Sequence, residues 1–562
     1  MSARSRLLAV ARGDEPADLV VRGARVFSAF TREWLSGDVA VADGRFAGVG
    51  SYAGREVIDA AGSMLVPGFI DAHVHIESSM LTPARFADVL VARGVTTVVA
   101  DPHELANVVG ARGVHWLLDA AADLPLRVFV MAPSCVPASA FESPRGPLSL
   151  EEIEAILERP GALGVAEMMN FPGLIAGDPA ELAKAAARGA THVDGHAPGV
   201  TGHALNAYLA AGVRSDHEAT TYAEALEKRR AGAWVLIREA SNARNLEALL
   251  PLVREFGPER CAFCTDDREA DVLVEEGSID SMVRAAVEWG LPVEDALVLA
   301  TSNAAAAHGL TDLGAIAPGY RADFALYPDE PFRPSHVFRD GRLVGAAPPA
   351  SLPPWLTDTM RMAPVEASSF AVGSDGRPIR VIELVPDQLL TSSAVESPRV
   401  EDGFAVADPA RDLAKIAVVE RHHATGRIGR GFVRGFGLQA GAFASTVSHD
   451  AHNVIVVGVD DADMARAASR LAELGGGLVV VRNGVVLAEL ALPVAGLMSD
   501  RPAADVAGAL VDLRSAARGL GVAVRAPFMA LSFLGLSVIP SLKITDRGLV
   551  DVDRFELVAL EA

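Results

Sequence analysis

Between residues 64 and 267 the chain repeats one pattern eight times: an apolar run that ends in polar residues, followed by a helix-like stretch. The runs cover residues 64–75, 96–104, 127–134, 162–170, 191–196, 212–218, 234–241 and 261–267. Between them, segments such as 83–94, 150–159, 179–188 and 242–256 are amphipathic at helical spacing. Eight strand–helix units predict an α/β fold, a (β/α)8 TIM-like barrel over residues 63–310. In that architecture the working groups lie at the C-terminal ends of the strands, and here those ends carry most of the unusual polar residues.

The flanks read differently. Residues 1–62 contain short strands with turns, at 18–21, 37–41 and 45–49, and strand-like patterns return at 322–327 and 336–344. One accessory β domain built from residues 1–62 and 311–346 is expected. Residues 347–369 carry Pro348, Pro349, Pro353, Pro354 and Pro364 and read as a linker. Residues 370–562 form a further mixed α/β domain, with strands at 453–459 and 478–481 and a helix at 462–474.

Charge narrows the partners. The chain holds 50 Lys and Arg against 72 Asp and Glu, a net charge of −22, which disfavours nucleic acid and anionic membranes. Three cysteines, Cys135, Cys261 and Cys264, cannot frame a disulfide scaffold, so a reducing compartment is expected. The apolar stretch 7–11 is too short for a signal peptide, and 526–540, interrupted by Pro527 and Gly535, is too short for a membrane span. A soluble cytoplasmic protein is expected.

His73 and His75 stand two apart at the end of the first run. The period of a strand puts both imidazoles on one face, either as a metal-ligand pair or as a hydrogen-bonded pair. Other strand ends add Glu167, His196, His217 and Asp266. A carboxylate closing an apolar run is costly unless paired or metal-bound. Each of these residues alone could cap a helix or pair locally; six at five strand ends favour a site for two divalent ions, with Glu167 between them.

The chain resembles the metal-dependent adenine deaminases of the amidohydrolase superfamily. The resemblance spans nearly its whole length, through residues 67–80, Asp101-Pro102-His103-Glu104, Ala166-Glu167-Met168-Met169, residues 194–199, Cys264-Thr265-Asp266-Asp267-Arg268, residues 446–453 and Val481-Arg482-Asn483-Gly484. The resemblance implies a barrel with an accessory β domain. It implies that His73 and His75 hold a first metal, that Glu167 bridges, and that His196 and His217 hold a second. Asp266 would contact the first metal and act as general base, then acid. Adenine would be hydrolysed to hypoxanthine and ammonia. Manganese is the implied ion, and imidazole with carboxylate donors also suits Fe²⁺ and Zn²⁺. A homo-oligomer, taken as a dimer, is expected. The alternative is a superfamily hydrolase of another purine, a pterin or a cyclic amide. Asn170 departs from the Asp of relatives. The barrel region's lysines, Lys184 and Lys228, lie in helix-like stretches, which disfavours a carboxylated-lysine bridge.

Several groups stay open. Asp101, His103 and Glu104 read either as a further metal or substrate contact or as helix caps. Arg238 with Glu239 reads either as a purine contact or as a surface ion pair, the latter preferred. His192 reads as structural, and Cys261 and Cys264 as buried strand residues. His422 and His423, near Arg427, Arg430 and Arg434, read as a solvated basic loop. Residues 448–452 cannot form a catalytic triad on one short segment. The C-terminal domain is expected to cover the barrel mouth and exclude water.

Overall fold

The computed structural model describes residues 3–328, 332–349, 351–385 and 388–562. Eight parallel strands follow one another around a ring. They are β1 (Phe69–Val74), β2 (Val95–Ala100), β3 (Arg127–Ala132), β4 (Ala162–Met168), β5 (Val193–Gly195), β6 (Ser215–Asp216), β7 (Trp234–Arg238) and β8 (Cys261–Cys264). β1 to β5 pair in succession, as do β6 to β8. Two joints complete the ring. Arg214 N donates to Val193 O at 3.0 Å, linking β5 to β6. Asp266 N donates to His73 O at 3.0 Å, linking β8 back to β1.

Sequence explains these elements locally. β2 reads Val95-Thr96-Thr97-Val98-Val99, β-branched throughout and buried on both faces. The helix Leu150–Leu157 begins at Ser149 with a capping box: Glu152 N donates to the Ser149 hydroxyl at 3.3 Å and Ser149 N to the Glu152 carboxylate at 2.9 Å. It buries Ile153, Ile156 and Leu157.

The first apolar run divides. Met64–Pro67 belongs to the accessory sheet, and the barrel begins only at Phe69. Gly68 sits at the division, where an added Cβ would lie 2.1 Å from the Thr96 hydroxyl oxygen. Met64–Pro67 pairs antiparallel with Phe324–Tyr327 from the other flank, which joins the two halves of the accessory sheet. The fifth and sixth strands are shorter than the runs predict, because their polar ends leave the ladder to build the site.

The C-terminal region holds a second eight-stranded sheet, antiparallel except where Ile379–Leu384 runs parallel to Ile428–Arg434. The helix Asp461–Leu474 packs on it through Met464, Ala467, Ala468 and Leu471. The segment 446–453 and the helix Pro527–Phe533 reach the barrel mouth, where the His449 ring lies 2.7 Å from the Glu104 carboxylate. The basic loop expected around His422 is solvated from His423 to Arg427. His422 is buried, and the Glu420 carboxylate gathers the backbone N–H groups of His422, His423 and Thr425. Residue 350, inside the predicted linker, lies outside the described residues. No helix among the described residues is long and apolar enough to cross a membrane.

Candidate metal centre

β1 delivers His73 and His75 to the barrel mouth with their Nε2 atoms 3.1 Å apart. The far nitrogens are tied back. His73 Nδ1 faces Asp194 Oδ2 at 3.2 Å, and His75 Nδ1 donates to Asp101 O at 2.9 Å. That leaves both Nε2 atoms aimed inward, the usual way an outer hydrogen bond orients a metal-binding imidazole.

Glu167, near the end of β4, stands between two groups. Its Oε1 is 3.3 Å from His75 Nε2, and its Oε2 is 2.7 Å from His196 Nδ1 and 3.4 Å from His217 Nε2. Asp266 follows β8 with φ of 55°, a left-handed conformation that Asp tolerates better than most residues. The turn aims its carboxylate at the cluster. Oδ1 lies 3.1 Å from His75 Nε2 and 3.6 Å from His73 Nε2, while Arg238 donates to Oδ2 at 3.0 Å. All six residues predicted at the strand ends thus meet, each at most 4% exposed.

The donor set fits divalent metal. His73, His217 and Asp266 present ligand atoms within 4.8 Å of one another, as do Glu167, His196 and His217. His196 Nε2 and His217 Nδ1 are buried without hydrogen-bond partners, a state that is costly unless another group engages the ring. Charge is strongly sorted here. Burial alone would raise Glu167, but the His196 charge and hydrogen bonds from His196, His217 and His75 hold its carboxyl well below the usual range. Burial likewise opposes ionisation of Asp266, and His73, His75 and Arg238 outweigh it. His75 is pushed well above its ordinary value by Asp266 and Glu167, against its own burial.

The second-strand residues separate in space. Asp101 accepts from His103 N at 3.1 Å and so shapes the turn into the next helix. The His103 ring adjoins the centre, with Nδ1 3.6 Å from Glu167 Oε1. Glu104 faces away and accepts from the Ser78 hydroxyl and from His449, both at 2.7 Å.

Arg238 corrects the preferred surface reading. It is 1% exposed, because β7 ends inside the mouth where the carboxylates gather. It grips Glu218 with both arms and Asp266 with one. His192 stays outside the cluster, 3.2 Å from the Ser215 hydroxyl. Cys261 and Cys264 are buried in β8. Asn170 caps the helix Phe171–Ala176 by accepting from Gly173 N, and its amide donates to Glu181 at 3.2 Å, a contact that an Asp could not make. Lys228 is helical, yet its ammonium reaches back 2.8 Å to Asp216 beside the site.

Sequence reasoning missed the supporting shell. Asp194 and Glu218 were visible as polar strand ends, but their partners His73 and Arg238 were not. Nothing in the sequence placed His449 and Asp450, some 350 residues from the second strand, against Glu104 and His103.

The amidohydrolase family model matches residues 64–344, and the model of the adenine deaminase C-terminal domain matches residues 388–556. The chain is 48% identical over 559 residues to a protein of Cereibacter sphaeroides (strain ATCC 17025 / ATH 2.4.3) named adenine deaminase, covering 99% of each chain. It is 45% identical to adenine deaminase 2 of Carboxydothermus hydrogenoformans, with 98% of each covered. It is 46% identical to the adenine deaminase of Desulfatibacillum aliphaticivorans, with 99% of each covered.

Proposed function

Because the chain belongs to the amidohydrolase family and, over its whole length, to the adenine deaminases, we propose that it hydrolyses adenine to hypoxanthine and ammonia at the barrel mouth. The observation that carries this reading is the convergence of four imidazoles and two carboxylates at five strand ends.

His73, His75, Glu167 and Asp266 would hold one divalent ion, and Glu167, His196 and His217 another. The ions, when bound, supply Lewis acidity and lower the pKa of water near neutrality. Manganese suits the donors, which include no thiolate among these six residues. Asp266 takes a proton from the attacking water and returns it to the departing amine. The water's other proton ends on ring N1, where hypoxanthine carries it. Arg238 keeps Asp266 oriented through the 3.0 Å contact to Oδ2, leaving Oδ1 toward the reacting atoms. Leu389, Phe533 and Leu536 roof the cavity and exclude bulk water.

The test is conversion of adenine to hypoxanthine with ammonia release by the purified chain, with added Mn²⁺ and after chelation. His75→Ala and Asp266→Asn are run beside it. Metal-dependent turnover, abolished in both variants, is expected. Metal binding without adenine turnover would overturn the substrate assignment.

A further inference from the structure

Five carboxylates line the cavity in front of the cluster: Glu167, Glu218, Asp266, Asp267 and Asp450. Four are engaged. Glu167 lies among imidazoles, Glu218 is held by both arms of Arg238, Asp266 by Arg238, and Asp267 faces the His449 imidazole at 3.6 Å. Asp450 differs. It is 1% exposed, and neither of its carboxylate oxygens has a hydrogen-bond partner. His103 Nε2 stands 3.4 Å from Oδ1 without forming a hydrogen bond. A buried carboxylate is tolerated only where a donor comes to it.

The surroundings say which donor. Met169, Leu389, Phe533 and Leu536 supply the apolar part of the lining, against which a ring can pack. Phe533 is held in place against the His449 ring, with centroids 4.9 Å apart. One imidazole ring, that of His103, separates Asp450 from the cluster: Nδ1 is 3.6 Å from Glu167 and Nε2 3.4 Å from Asp450. In adenine a fused five-membered ring likewise separates the reacting C6 from the imidazole N–H.

We propose that Asp450, supplied by the C-terminal domain, accepts the imidazole-ring N–H of adenine and thereby selects the free base over bases substituted at that nitrogen. The inference rests on the reading of adenine as substrate. It gives the C-terminal domain a specificity role beyond covering the mouth. A nucleoside has no hydrogen at N9, so it would leave Asp450 buried and unpaired.

The test compares adenine with its isostere bearing sulfur in place of N9–H, which lacks the ring hydrogen and adds little bulk. Both are assayed on the Mn²⁺-loaded full-length wild type, Asp450→Asn and Asp450→Ala, and metal content is measured by mass spectrometry. Wild type is expected to prefer adenine by about 10³-fold or more in kcat/KM, as sites built around a substrate N–H do. Asp450→Ala should lose about 10²-fold on adenine and little on the isostere, so that the preference shrinks by about 10²-fold, with metal content unchanged. Asp450→Asn, of the same shape, should fall between and guards against misfolding of the alanine variant. Equal losses on both compounds would overturn the inference while leaving adenine deamination standing, and so would loss of a metal equivalent, which would make Asp450 a ligand. Absence of wild-type turnover on adenine would overturn both.

Discussion

Replacing Arg238 by Met should do more damage than its distance from the imidazoles suggests. The guanidinium is 1% exposed and neutralises two carboxylates, Glu218 at 3% and Asp266 at 4% exposure. Its contacts are the paired grip on Glu218, a 3.0 Å bond to Asp266 and a 3.4 Å contact to Asn245. Methionine fills much of the volume but leaves both charges unpaired. Removing one partner of a buried ion pair costs about 3–5 kcal/mol. Part of that falls on folding stability. The part on Asp266, one charge-assisted hydrogen bond of about 1.5–3 kcal/mol, falls on positioning, so kcat should drop roughly 10- to 100-fold. Steady-state ammonia release on Mn²⁺-loaded protein reads the second part, and thermal unfolding of the same samples reads the first. Glu218→Gln in the Arg238→Met background removes one stranded charge and should recover part of the stability, a coupling of about 1–3 kcal/mol. A folded Arg238→Met with kcat within threefold of wild type, or strictly additive double-variant stabilities, would refute the reasoning.

Three further outcomes follow from the packing. His449→Ala leaves the fully buried Glu104 with the Ser78 hydroxyl but without its imidazole, and removes a 2.7 Å contact between the C-terminal segment and the barrel; the variant should melt lower and be cleaved faster by protease near residues 446–453. Gly68→Ala would set a Cβ 2.1 Å from the Thr96 hydroxyl oxygen and push apart β1 and β2, so its yield of folded protein should fall sharply beside a Gly508→Ala control, where nothing lies within 4 Å. Lys543 is fully buried, donates to Leu389 O at 2.8 Å and Phe533 O at 3.1 Å, and burial pushes its ammonium down to about 7. The unfolded chain, whose lysines titrate near 10.4, then binds the extra proton between about pH 7 and 10. Stability should therefore rise with pH across that window, by up to about 1.4 kcal/mol per unit from this group. Urea midpoints of Lys543→Met against wild type should show a flatter rise, and identical slopes would count against it.

Much of the architecture was legible because buried parallel strands and amphipathic helices write themselves into periodicity. The eight runs, the two β-rich flanks and the helix at 461–474 all come from that signal. The six strand-end residues were legible as candidates for a related reason: a polar group closing an apolar run is expensive, so its presence stands out. Short strands were harder. β5 and β6 keep only three and two residues in the ladder, since their remaining residues bend to serve the centre. Arg238 was misread because an arginine beside a glutamate is usually a surface pair, and only closure of the ring puts it opposite Glu218 and Asp266.

The sequence by itself determined which residues could do chemistry and that they sit at strand ends, because strand period and hydrophobic cost act within a few residues. Tertiary structure alone decided their company. Asp194 behind His73, Arg238 between two carboxylates, and His449 and Asp450 arriving from the far domain are contacts across 20 to 350 residues, made by ring closure and domain docking. No local rule encodes such pairings. Burial fixes them only once the barrel and the C-terminal domain have closed on the same small volume.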